Sequence, residues 1–343
     1  MTPEKRVTIR DVARAAGVSP GTVSRAVNDS PLVNEDTRRR ILKVVEELDY
    51  TPNVVARRLS LGKTLAVAVI VPFFTRPSVT ERLNGVVSLL SRTQYDLVIH
   101  NVETPEQRAT CFEDIPHSRR ADGVLSISLT PADAEAEGLA EADVPIVFID
   151  SEHPALEGIH HQVTVDDVAG GEVTTRYLIE LGHTKIGFVG DPIDNPFNFT
   201  SSGDRYRGYQ KALREAGLPV RPDYYEENQH GRREARQSAR KLLALSDRPT
   251  AIFAASDTQA VGVLEAAREA DLSVPDDLSV IGYDDVEIAD ILGLTTRRQL
   301  LFESGRRGVE LLLETLRDPD TKPVHEILPT KLIVRDTTAP PQD

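Results

Sequence analysis

The sequence predicts an N-terminal all-α helix-turn-helix domain followed by an α/β core of two doubly wound parallel-sheet lobes. Three observations carry this. Residues 8–28 show two short helical patterns joined by a tight turn. Beyond Gly62, short apolar runs alternate with amphipathic helical stretches, the pattern of parallel strands covered on both faces. The chain's 343 residues also suffice for two or three domains with sizeable cores.

In the first region Ile9, Val12, Ala13 and Ala16 fall at i, i+3, i+4 and i+7 and give one helix an apolar face. Gly17 suits a left-handed turn. Ser19 offers an N-cap to a second helix, from about Pro20 to Asn28. Val18, Val23 and Val27 can pack back on the first helix, which leaves Thr22, Ser24, Arg25 and Asn28 facing outward. Such a polar edge can enter a DNA major groove; an ordinary helical hairpin with polar surface residues is the alternative. A third helix is expected from about Asn34 to Leu48, with Arg38, Arg39, Arg40 and Lys43 on its exposed side. Pro52 disfavours helix at Thr51 and can start another, so Asn53 to Ser60 reads as a short separate helix. It is too short to be stable alone, and a plain linker or an extension of the third helix are alternatives.

Charge divides the chain at the same place. Residues 1–63 hold 12 Lys and Arg against 8 Asp and Glu, a net of +4; the whole chain is −14, which leaves −18 on residues 64–343. A basic head on an acidic body concentrates affinity for nucleic acid at one end. Cys111 is the only cysteine, so no disulfide framework or cysteine-based zinc finger exists within the chain. Nothing resembles a signal peptide and no apolar run approaches membrane-spanning length, so the expectation is a cytoplasmic protein without a membrane partner. His153, His160 and His161 read as surface loop residues, and no spacing supports a metal site.

In the core, strand patterns recur at Leu65–Val71, Asp96–His100, Gly123–Ile127, Pro145–Ile149, Lys185–Val189, Ala251–Ala254 and Leu278–Gly282. Helical stretches at Val168–Leu181, Arg205–Ala216, Arg232–Leu245 and Thr258–Glu269 separate the later ones. The second sheet is expected to begin near Val163. Ligands of such sheets bind at the carboxyl ends of strands, which nominates Asp150, the pair Ser256 and Asp257, and the pair Asp284 and Asp285. Arg205 starts the helix after the 190–203 loop. Carboxylates that accept hydroxyl protons and an arginine that donates in return suit a polyhydroxylated ligand. Asp257 and Asp285 could equally be structural, and pairs such as Asp166–Asp167 read as caps of helices or turns.

The runs Asp11-Val12-Ala13, Ala16-Gly17-Val18-Ser19 and Thr22-Val23-Ser24-Arg25, followed by Tyr50-x-Pro52-Asn53-x-x-Ala56-x-x-Leu59, resemble the lactose/galactose repressor family of bacterial transcription regulators. Leu181-Gly-His-Thr-Lys-Ile186, Arg205-Tyr-Arg-Gly208, Ser256-Asp257, Asp284-Asp285 and Leu294-Thr-Thr-x-x-Gln299 extend the likeness along the core. The resemblance implies a helix-turn-helix DNA-binding domain over 1–50, a hinge helix and linker over 51–62, and a periplasmic-binding-protein-like core over 63–343. Within that core the N-lobe is expected at about 63–160 and 293–322, and the C-lobe at about 163–290 and 323–336. It implies that Leu59 wedges into the minor groove with Asn53 and Ala56 beside it, since unstacking is repaid by wider contact.

One departure matters: Pro20 and Gly21 occupy positions that commonly read bases, and neither side chain can donate a hydrogen bond. Base reading should shift to Thr22, Arg25 and the hinge, with Arg25 able to contact guanine in bidentate fashion. Thr8, Ser24 and Asn28 are expected to hold phosphates or support the fold. Matched by position, Asp150, Arg205, Ser256, Asp284 and Gln299 fall where inducer contacts occur, although Ser256 replaces a frequent Asn. His230 lies near the place of a ring-stacking aromatic, and the loop Pro72–Ser78 contributes Phe74 or Arg76. The implied protein is a homodimer on a palindromic operator, without Leu heptads for a tetramer. A small sugar or sugar derivative is its effector, and no cofactor or catalytic residue is implied. A purine corepressor is the runner-up; that branch has Arg where this chain has Phe199. A sugar-binding transport component, or an enzyme of sugar phosphate metabolism, would suit the core alone but not the basic head.

Overall fold

The structure is a computed structural model that describes residues 7–51, 62–118 and 120–342. It divides into two compact units, Met1–Leu65 and Ala66–Asp343.

In the first unit α1 (Ile9–Ala16), α2 (Pro20–Val27) and α3 (Glu35–Glu47) enclose a small core of Val12, Ala13, Ala16, Val23, Ala26, Val33 and Ile41. Local chemistry sets each boundary. The Thr8 amide and hydroxyl both donate to the Asp11 carboxylate, at 3.0 and 2.7 Å. Gly17 ends α1 at φ 65°, a left-handed conformation that costs glycine little. The Ser19 hydroxyl accepts the Thr22 amide, and Asn34 does the same for Thr37. Arg38 departs from expectation. It is not on the exposed side of α3; its guanidinium turns inward to the carbonyls of Ala26 and Ser30 and the Asp29 carboxylate, tying α3 to the end of α2. Asn53, Ala56 and Leu59 lie outside the described residues.

The second unit holds two six-stranded sheets. The first contains β1 (Ala66–Pro72), β2 (Asp96–Val102), β3 (Gly123–Ile127), β4 (Ile146–Ile149), β5 (His161–Val165) and β11 (His325–Leu328), in the order β11-β5-β4-β3-β1-β2, all parallel. The second contains β6 (Ile186–Gly190), β7 (Tyr225–Glu227), β8 (Ala251–Ala254), β9 (Ser279–Asp284), β10 (Thr295–Arg298) and β12 (Lys331–Ile333), in the order β12-β10-β9-β8-β6-β7. Its β10–β12 pair alone is antiparallel. Helices α4 (Pro77–Leu90), α5 (Pro105–Asp114), α6 (Asp133–Ala140) and α12 (Leu301–Arg317) cover the first sheet. Helices α7 (Asp167–Glu180), α8 (Ser201–Glu215), α9 (Arg232–Leu243) and α10 (Asp257–Glu269) cover the second. A short α11 (Glu287–Ile291) follows β9.

The chain passes between sheets after β5, β10 and β11, and this corrects the expected lobe limits. β5 belongs to the first sheet rather than opening the second, where it pairs with β4 on one side and β11 on the other. β10 pairs with β9 in the second sheet, and β11 with β5 in the first. His160 and His161 are likewise buried rather than on a surface loop, and bond to the Leu139 carbonyl and the Thr315 hydroxyl.

Two glycines bring helices together where function will need it. A Cβ at Gly305 would stand 1.9 Å from the Arg82 carbonyl oxygen, and one at Gly208 would stand 2.1 Å from that of Val168. The crossings of α12 on α4 and of α8 on α7 are therefore backbone-close, which fixes Arg82 and Arg205 relative to their partners.

Among the described residues no helix is long and apolar enough to cross a membrane. No group of three or more His, Cys, Asp or Glu residues among them could hold a metal ion.

Candidate functional site

On the helix-turn-helix unit, Thr8, Pro20, Gly21 and Arg25 are exposed, while Thr22, Ser24 and Asn28 are half-buried. Not all of these are equally free. The Thr22 hydroxyl lies 2.9 Å from that of Ser19, and the Thr8 hydroxyl is held by Asp11. Asn28 donates weakly to Ser24 at 3.5 Å and leaves its own Oδ1 buried without a partner. Arg25 keeps its fork of donors exposed at the last turn of α2.

The core carries its candidate site in a small cleft of about 80 Å³. Strand ends build it. Ser128, Asp150 and Asp284 close β3, β4 and β9 at φ 53°, 57° and 112°, and Phe73 follows β1 at φ 44°. Backbone in the left-handed region costs of order 1–3 kcal/mol per residue, and such strain concentrates at binding sites.

A chain of charge runs through the cleft. Arg82 Nη2 meets Asp150 Oδ1 at 2.7 Å and donates to Gln299 Oε1 at 3.3 Å. Gln299 Nε2 donates to Asp284 Oδ1 at 2.7 Å, and that same oxygen stands 3.8 Å from Arg205 Nη1. Arg205 is only 5% exposed; it donates to Asp167 Oδ1 at 2.9 Å and the Ala255 carbonyl at 2.6 Å, and lies 3.8 Å from the centre of the Tyr283 ring. The Ser128 hydroxyl donates to the other oxygen of Asp150 at 2.6 Å.

Burial shapes these ionisations. It pushes the Asp284 carboxyl up, with Arg205 and Arg82 opposing. It pushes the Asp167 carboxyl up to about 6 even though Arg205 sits beside it. Burial also works against the charge of Arg205, but Asp167 and Asp284 outweigh it and the guanidinium is held above its ordinary value. The cleft thus offers carboxylate acceptors and guanidinium donors already fixed by one another, as a ligand with several hydroxyls requires.

Seven of the eight core residues expected at an effector site come together here: Arg76, Asp150, Arg205, His230, Ser256, Asp284 and Gln299. Phe74 does not. It is 44% exposed and not among the lining residues, because its amide is drawn outward to Asn101 Oδ1 at 3.0 Å. Two of the seven have reduced capacity. The Ser256 hydroxyl caps α10 and bonds Gln259, and His230 Nδ1 lies 3.2 Å from Asp191 Oδ1.

Sequence reasoning missed Arg82, Ser128 and Asp191, all of which line the cleft, as does Phe199. Ser128 and Asp191 directly follow β3 and β6, so the strand-end rule could have found them. Arg82 carries no such signal. Asp257 and Asp285 are structural: Asp257 accepts the Val286 amide and the Thr296 hydroxyl, and Asp285 pairs with Arg298 and Arg335.

Comparison with known proteins joins the two units. Residues 8–53 match the model described as bacterial regulatory proteins, lacI family, and residues 175–338 match a periplasmic binding protein-like domain. The HTH-type transcriptional repressor PurR of Vibrio vulnificus (strain CMCP6) is 33% identical, over 96% of this chain and 98% of its own length. The ribose operon repressor of Escherichia coli (strain K12) is 34% identical, over 91% of this chain and 94% of its own. Among solved structures, the Lac repressor dimer bound to operator and the anti-inducer ONPF superposes with a TM-score of 0.84 at 27% identity, covering 98% of this chain and all of that one. A transcriptional regulator CelR–cellobiose complex gives 0.71 at 29% identity, covering 97% and 100%.

Proposed function

This chain belongs to the lacI family of bacterial regulatory proteins, and from that premise we propose that it is a repressor controlled by a small sugar or sugar derivative. It acts in the cytoplasm as a homodimer on a palindromic operator. The observation that carries the effector half is the cleft array of Arg82–Asp150 and Gln299–Asp284–Arg205, in which every charge is paired; a ligand's hydroxyl groups can both donate to such carboxylates and accept from such guanidinium groups. The ribose operon repressor and the cellobiose complex of CelR support the sugar class by likeness. As a regulator whose relatives are repressors, the chain is not an enzyme.

On the DNA side Arg25 reads a guanine through its two-pronged donor set and Ser24 and Asn28 hold phosphates, while Thr8, whose amide and hydroxyl both donate to Asp11, supports the fold. Pro20 and Gly21 let the start of α2 approach the groove without contributing donors, and Thr22 adds a shorter contact beside them. Asn53, Ala56 and Leu59 supply the minor-groove wedge. Ligand acts only through differential affinity: whichever closure of the two lobes it prefers gains population, and the affinity for operator follows.

Selection from random duplex DNA with the full chain tests this reading. It should return two inverted half-sites, bound by two chains per duplex in sedimentation. A single asymmetric site bound by one chain would overturn the dimeric operator reading.

A further inference from the structure

We propose that the cleft contains an oxyanion subsite centred on Arg76, so that the effector is a polyol carrying a phosphate or carboxylate group. This deepens the effector reading above and rests on it.

Arg76 stands in the turn between β1 and α4 and lines the cleft. Its guanidinium lies 4.1 Å from the centre of the Phe73 ring and 5.6 Å from that of Phe199. Phe73 is itself held at 5.3 Å by Phe197, which stacks on Phe199 at 5.3 Å. Aromatic faces orient a guanidinium without using any of its five N–H donors. Among the described residues those donors have no hydrogen-bond or ion-pair partner. The other two cleft arginines differ: Arg82 is engaged by Asp150 and Gln299, and Arg205 by Asp167, Ala255 and Asp284.

Asp191 is the acidic side chain that acts on Arg76, and it does so only at a distance. Its carboxylate is already occupied by Gln259 Nε2 at 2.9 Å and His230 at 3.2 Å. Burial lowers the pKa of Arg76 from its ordinary value, the mark of a cation that lacks full compensation. Thr200 and Ser201 line the same cleft at the start of α8, where the Thr200 side chain makes no cap bond. Arg76, these hydroxyls and the first amides of α8 are donors without matching acceptors, and a phosphate or carboxylate would supply them. A neutral sugar would leave the Arg76 fork unfilled, while Asp150 and Asp284 serve the hydroxyls of the same ligand.

Isothermal titration of orthophosphate and of acetate into the full chain, at constant ionic strength, tests the inference. Wild type should bind at least one of the two. Arg76→Ala and Arg76→Gln should each weaken that binding by about tenfold or more. Response to orthophosphate alone identifies a phosphate ester, and response to acetate a carboxylate. Absence of binding to wild type, or binding that survives both Arg76 substitutions, overturns the subsite. An Arg76-dependent signal in a protein whose operator binding ignores every sugar would retain the subsite and reject the sugar reading instead. Sugar-controlled operator release without an Arg76-dependent signal would do the reverse.

Discussion

The helix-turn-helix unit and the α/β core treat polar side chains in opposite ways. In the first, side-chain hydrogen bonds span two to twelve residues, as in Thr8–Asp11, Ser19–Thr22 and Arg38–Ala26. The side chains expected to face DNA are exposed or half-buried around a core of small aliphatics. In the core the functional charges are buried and their partners lie far along the chain: Arg82 meets Gln299 across 217 positions, and Arg205 meets Asp167 across 38. A reading surface of the first kind is carried by the fold without supporting it. A cleft of the second kind is part of what holds the core together, so its recognition and its stability cannot be separated.

The largest expected effect therefore lies in the core. Arg205→Ala strands the buried carboxylates of Asp167 and Asp284, and urea unfolding should show a loss of about 3–5 kcal/mol, the usual cost of breaking a buried ion pair. A loss under about 1 kcal/mol would mean that these carboxylates are satisfied without it.

Acidification gives the next. Because burial holds the Asp167 carboxyl at about 6, above its ordinary value of 3.8, the folded core keeps its proton more tightly than the unfolded chain. The stability from this group is complete below about pH 4 and is lost as pH rises through 6. Between pH 7 and pH 4 wild type should gain roughly 2 kcal/mol relative to Asp167→Asn, which cannot titrate. Burial pushes Asp257 and Asp284 in the same direction, so the variant's own curve still slopes. Parallel curves for the two proteins would refute the assignment.

On the first unit the effects are smaller and fall on different observables. Arg25→Ala should weaken operator binding by about 1–3 kcal/mol and relax preference at one base pair, with the melting temperature unchanged. A drop in melting temperature would mean that Arg25 supports the fold instead. Smallest, Ser19→Ala removes the cap of α2 and should cost about 1 kcal/mol of that unit's stability, read by amide exchange in α2.

This contrast also explains what was legible in the sequence. Gly17, Ser19 and the 3.6-residue pattern of α1 are signals written within one turn of the feature they set, so the three helices and their caps were readable. Arg38 was misjudged because its partners, the ends of α2 and the following turn, lie outside its own helix. In the core the buried apolar strands β1, β3, β4, β6, β8 and β9 announce themselves. The strands β5, β7, β10, β11 and β12 do not, being interrupted by His, Gln, Thr, Arg, Glu or Lys rather than forming an apolar run. β5, β10 and β11 are where the chain changes sheets, which is why the lobe limits were misplaced.

Strand ends pointed to Asp150 and Asp284, which the structure brings into one cleft, because the carboxyl edge of a parallel sheet is where its ligands go. Of the two loop residues expected there, Arg76 lines the cleft and Phe74 does not. Phe73 takes the left-handed turn and packs against Arg76, while Phe74 turns out to Asn101, a choice made by β2 and not by the loop.

The most direct test of the central claim is fluorescence anisotropy of the full chain on its selected operator, titrated with a panel of sugars and sugar phosphates. At least one compound should change the bound fraction for wild type, and Asp284→Ala should bind the same operator but ignore that compound. An Asp284→Ala protein that still responds, or a wild type that no sugar or sugar phosphate affects, would contradict a sugar-gated cleft built on that carboxylate.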